Sequence, residues 1–184
     1  MRAALALTLA QALVLAACAP QPSEMRTAAA FKALATPLEF PVTWTPARAW
    51  RGDGGNQQFY FYDLVSSRPP RTAQVRMQFM LPKEGLEAPL APLASAADGA
   101  REIARAHGTP VPAGTPVVEI RNTQGVAYVQ FGPQGPLWCG WAVQHFDGSR
   151  GARASSCGNG SALSVQTQVR EDLREVLAGL RLRT

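Results

Sequence analysis

Leu137-Trp138-Cys139-Gly140-Trp141-Ala142-Val143-Gln144-His145-Phe146 runs into Asp147-Gly148-Ser149-Arg150-Gly151 and then Ala152-Arg153-Ala154-Ser155-Ser156-Cys157. Two arms that suit a pleated strand flank a cluster of Asp, Gly and Ser, residues that reverse a chain by accepting local hydrogen bonds or unusual backbone angles. The stretch therefore predicts an antiparallel hairpin. With a three-residue loop centred on Gly148, Cys139 and Cys157 fall directly opposite each other. A loop one residue different would set them diagonally, still near enough for modest adjustment. Trp141 and Val143 share a face with Cys139, so a bridge there would pack against the indole.

Further strands extend outward from this hairpin. Upstream, Val117 to Arg121 and Gly125 to Phe131 are joined by the turn Asn122-Thr123-Gln124. Phe59-Tyr60-Phe61-Tyr62-Asp63-Leu64-Val65 is β-rich and follows Gly52-Asp53-Gly54-Gly55, a turn signal that should pair it with Ala47 to Arg51. Tyr60 and Tyr62 are expected to flank the sheet with their hydroxyls in water. Val75, Met77, Phe79 and Leu81 alternate with Arg76, Gln78 and Met80, the pattern of a strand with one face buried.

Helices are marked by different signals. Ser95 to His107 carries a capping box, Ser95 with Asp98, and Gly108 follows its end. Its small residues Ala96, Ala100 and Ala104 around Ile103 predict close packing on the sheet. Val165, Val169, Leu173, Val176, Leu177 and Leu180 recur every three or four residues, which predicts an amphipathic C-terminal helix capped by Ser164 or Ser161. The charges between them read as a solvated face. Glu24 to Ala35 has helical propensity behind Ser23, and Pro37 ends it. Between elements lie two proline-punctuated loops, 82–94 and 109–116. Leu86, Leu90 and Leu93 in the first should lid the core edge. Together these features predict an α+β fold with a single antiparallel sheet, helices packed on it and the amphipathic helix last.

The first eighteen residues carry a resemblance. Arg2, an apolar run from Ala3 to Leu15 and a small-residue end have the three parts of a secretory signal, and the run is too short to span a bilayer. Leu15-Ala16-Ala17-Cys18 resembles the lipobox of bacterial lipoproteins. The resemblance implies cleavage before Cys18, a diacylglyceryl thioether on its sulfur, and a third fatty acyl chain, such as palmitate, on its amino group. Two or more chains anchor stably, because each buried methylene contributes about 0.8 kcal/mol. Ala19 after the cysteine resembles outer-membrane rather than inner-membrane lipoproteins of the enteric type. The expected organisation is a signal peptide over 1–17, an acylated N-terminus, tether and short helix over 18–36, and one domain over 37–184. An exported chain with two further cysteines should oxidise them, so Cys139 and Cys157 are expected to form a disulfide. In the chain-entropy model closing such a loop contributes about 3 kcal/mol.

Composition supports a folded domain: 46% of the 184 residues are hydrophobic and 17% charged. The formal net charge is +5, carried almost wholly by Arg, since Lys32 and Lys83 are the only lysines. An exported, lipid-anchored chain of this mild positive balance suits anionic envelope surfaces and makes nucleic acid an improbable partner. No catalytic motif stands out. Trp138-Cys139-Gly140-Trp141 lacks the second cysteine of a redox C-x-x-C, and His107 and His145 have no metal-ligand spacing. Neither catalytic nor metal-binding residues nor a cofactor are expected, and no ligand-binding residue can be named. The element order is similar to the PsbP-like fold, an antiparallel sheet covered by helices that includes lipid-anchored members. That similarity implies architecture alone. The expected role is a non-enzymatic accessory or assembly subunit, lipid-anchored and facing the periplasm, that binds another envelope protein. A carrier of a small apolar or lipid ligand is the second expectation, and an envelope enzyme without a recognisable motif the third.

Overall fold

A computed structural model of the chain describes residues 24–27, 37–68, 73–108 and 114–183. The strands are β1 (Glu24–Thr27), β2 (Leu38–Glu39), β3 (Trp44–Gly54), β4 (Gln57–Ser66), β5 (Gln74–Pro82), β6 (Val117–Asn122), β7 (Gly125–Gln134), β8 (Leu137–His145), β9 (Gly151–Asn159) and β10 (Arg181–Leu182). Helix α1 (Ala96–His107) lies between β5 and β6, and α2 (Leu163–Ala178) between β9 and β10. Eight strands form one sheet in the order β1-β3-β4-β5-β9-β8-β7-β6. Every neighbouring pair in it is antiparallel. Short turns join β3 to β4, β6 to β7, β7 to β8 and β8 to β9, whereas β1 pairs with β3 past the intervening β2, and β5 pairs with β9 after an excursion through α1 and the β6–β8 meander.

The expected single sheet needs correction, because β2 and β10 form a separate two-stranded ribbon. Beyond Gly179 the chain turns back, pairs Leu182 with Leu38 and buries Leu38 and Leu180 completely. Strands of two residues are too short for alternation to announce.

Alternation explains why the helices sit on opposite faces. Along β8, Ala142 turns toward α2 with Ala127, Val129, Phe79, Leu173 and Val176, whereas Cys139, Trp141 and Val143 turn toward Ile103 of α1. Both helices approach through glycine. A Cβ on Gly140 of β8 would lie 2.5 Å from Leu173 Cδ1, and one on Gly99 of α1 would lie 2.4 Å from Tyr128 Cγ. The contact expected through alanines is therefore made by Gly99, with Ala96 beside it and Ala104 exposed. Helix α1 starts and stops as its sequence signals predict: the Ser95 hydroxyl accepts from Asp98 N–H, and Gly108 ends it at φ 60°.

Other expectations are revised. Glu24–Thr27 is a strand paired with Arg48 to Arg51, not the start of a helix, while residues 28–36 lie outside the described residues. An open edge on β3 outweighs the local helix propensity of four residues. Strand β3 runs on to Gly54, and the turn falls at Gly55-Asn56 instead of Gly52 to Gly55. Gly54 serves the strand by making room for the ring of Phe59, which a Cβ there would approach to 2.9 Å. Tyr62 is buried, not hydrated; it shares the inward phase of Leu64 and meets Phe40 edge-on at 5.0 Å. Burial pushes its phenol pKa far up. The N-cap of helix α2 is Ala162, one residue after Ser161 and two before Ser164, without a side-chain cap bond. Of the three loop leucines, Leu93 packs on the α1 cluster and Leu90 is half-buried, but Leu86 is 46% exposed.

Candidate functional site

The hairpin that opens the sequence reading has Cys139 directly opposite Cys157, with Cα atoms 4.1 Å apart and sulfurs 2.03 Å apart. Cys139 is fully buried against Trp141 and Val143, and Cys157 reaches the surface. Asp147 holds the connecting turn, accepting from the N–H groups of Ser149 and Arg150. Partial burial would raise its pKa, but these donors and the Arg150 guanidinium outweigh burial and hold it at about 2. Cys18 lies outside the described residues.

Both histidines are tied to backbone. His107 Nε2 lies 3.2 Å from the Ala142 carbonyl, and His145 Nδ1 lies 2.8 Å from that of Ala91, which straps the proline loop to β8. Burial lowers both pKa values. Between the helix and the sheet, buried Glu102 accepts from Arg105 Nε and Nη2 at 2.7 and 2.6 Å and from Arg153 Nη2 at 3.4 Å. Burial pulls its carboxyl up; the two guanidinium groups overcome that and keep it below the usual range. This cluster joins α1 to β9 and is structural. Among the described residues no group of three His, Cys, Asp or Glu is placed to hold a metal ion.

A concavity lies elsewhere, where α2 overhangs the last strand of the sheet. A groove of about 890 Å³ is lined by Val118, Ile120 and Phe131 on its floor and by Arg170, Arg174 and Ala178 on its wall. The arrangement follows from helix geometry. Val169, Leu173, Val176 and Leu177 point into the core, so the neighbouring stripe at positions 170, 174 and 178 projects beyond β7 over β6. The Arg170 guanidinium lies 5.6 Å from the Phe131 ring centre. Arg121 at the rim is paired with Glu119 at 3.2 Å. Arg170 and Arg174 have no carboxylate partner among the described residues. Glu175 on another stripe is engaged by Thr43 and Arg68. Strand β6 ends the sheet, so among the described residues no strand pairs with its outer edge along the groove.

Sequence reasoning missed this groove, having read the charges of the last helix as solvated. The four-residue spacing of Arg170 and Arg174, separate from the Glu171 and Glu175 stripe, was the available signal. It could not show that a sheet edge lies beneath.

No family model, curated protein or solved structure matches the chain. No helix among the described residues is long and apolar enough to cross a membrane.

Proposed function

We propose that the chain is an acylated envelope lipoprotein, anchored through Cys18 and facing the periplasm, preferentially at the outer membrane. It serves as an accessory or assembly subunit that holds a segment of another envelope protein. The observation that carries this reading is the open, arginine-walled groove beside a free sheet edge, a surface built to hold rather than to transform. Its position supports the same reading. The tether ends at Glu24 on β1, and β6 is the opposite edge, seven strand spacings away. At about 4.8 Å each, that is roughly 34 Å along the sheet. Cys18 to Ser23, even fully extended, reaches only about 20 Å. An anchor at Cys18 would therefore attach near the edge opposite the groove.

A second reading, a carrier for a small apolar or lipid ligand, draws on the apolar floor and on a volume within the usual range for ligand pockets. A photo-reactive amino acid at Val118, which is 45% exposed on the groove floor, separates the two in living cells. A protein adduct is expected; an adduct with lipid alone would identify the carrier. For the anchor, the expected outcome is that Cys18→Ala leaves the membrane fraction and that intact mass shows the acyl chains lost.

A further inference from the structure

Resting on that reading, we infer that the partner supplies an extended acidic segment that pairs with β6 as a ninth strand and sets its carboxylates against Arg170 and Arg174. An edge strand presents a row of unpaired backbone donors and acceptors, and proteins blunt such edges with proline, bulges, very short strands or a covering element. Strand β6 contains no proline and pairs with β7 in unbroken register from Val117↔Gln130 to Asn122↔Gly125. The opposite edge, β1, has only four residues. Of the two edges, β6 is therefore the better template for strand addition.

The chemistry of the added segment follows from what borders that edge. In a strand beside β6, every second side chain points to the α2 face, as Val118 and Ile120 do. There it meets the apolar floor and two guanidinium groups with no carboxylate of their own. Arginine in such a place selects carboxylate by charge-assisted hydrogen bonds. The Glu119–Arg121 pair at the rim of the groove is already internally neutralised and asks for no particular charge. An alternating sequence with acidic residues toward α2, their methylene stems on the apolar floor, and apolar residues on the other face satisfies both the edge and the wall. A lipid would use the floor and the arginines but leave the strand edge unsatisfied.

The experiment uses the full acylated chain in detergent and a fluorescent peptide of alternating glutamate and valine. Comparators are its lysine counterpart, the same glutamate peptide methylated on alternate backbone nitrogens, and phosphatidylglycerol. The glutamate peptide should bind. The lysine and methylated peptides should bind at least about tenfold more weakly, about 1.4 kcal/mol. The Arg170→Glu, Arg174→Glu double variant should exchange its preference and favour the lysine peptide, a gain that misfolding cannot mimic. Equal binding of the methylated peptide, or an unchanged charge preference in the double variant, overturns the inference, as does phosphatidylglycerol displacing the peptide while binding more tightly. Cross-linking from Val118 in cells distinguishes failure of this inference from failure of the parent reading. A protein adduct that persists undiminished in the double variant refutes the acidic strand alone; an adduct with lipid only refutes both.

Discussion

At the scale of single residues, Asp172, buried on α2, departs from its solution chemistry within the accessible pH range. Burial, with Glu175 and Glu171 adding to it, raises its pKa to about 6 despite a hydrogen bond from Gln168 Nε2. The folded state therefore holds a proton that the unfolded chain, near 3.8, releases. Linkage then requires this group's contribution to fall as pH rises from about 4 to about 6, leaving a constant cost above that window. Asp172→Asn keeps an acceptor for Gln168 and removes the charge. It should raise stability by about 1–3 kcal/mol above pH 7 and change little near pH 4. Urea unfolding at the two pH values checks this, and an equal effect at both would mean that burial of the charge is not the cause. Gly99 sets two effects against each other. Helix propensity favours Gly99→Ala by about 1 kcal/mol, whereas a Cβ lying 2.4 Å from Tyr128 Cγ calls for overpacking costs of about 1–3 kcal/mol. Sterics should win, giving a lower melting temperature; a higher one would show that α1 can lift off the sheet without loss.

At the scale of elements, the strands that sequence alternation announces are those with one buried face. Val75, Met77 and Phe79 are inward as their spacing says. The capping box at Ser95 is equally readable because its signal is local. What alternation could not supply was decided by partners distant in sequence. Glu24 to Thr27 is a strand because β3 offers an edge, and Tyr62 is buried because its register neighbours are Ala49 and Met77. The groove needed both a helix stripe and knowledge of which strand ends the sheet, so only half of it was legible. The β8–β9 hairpin carries its own prediction. Its bridge spans 18 residues and has its Cys139 end in the core. Replacing both cysteines by alanine should lower stability by about 3 kcal/mol while leaving peptide binding at the β6 groove intact. A structural bridge should also resist mild thiol reduction in the folded protein. Rapid alkylation of both cysteines without unfolding would instead mark a working redox pair.

At the scale of the whole molecule, two cores on opposite faces share one sheet, and the question is whether they stand or fall together. Leu173 belongs to the α2 core, which reaches across β3, β4, β5, β7, β8 and β9; Ile103 belongs to the smaller α1 core over β7 and β8. Each truncation to alanine should cost about 2–5 kcal/mol, since both side chains are fully buried and leave a cavity. The sheet couples them, because Ala142 and Val143 are adjacent on β8 yet serve different cores. Loss of packing under α1 must loosen the strand on which α2 also rests. A domain of this size with a continuous sheet should unfold in one cooperative transition. Native-state hydrogen exchange tests the coupling residue by residue. In Ile103→Ala the slowest amides of β4, which contributes no residue to the α1 core, should lose as much protection as those of β8. If only β6 to β8 lost protection and β3 to β5 kept theirs, the α1 half would be an independent unit, and strand β6 with its groove could open without unfolding the rest.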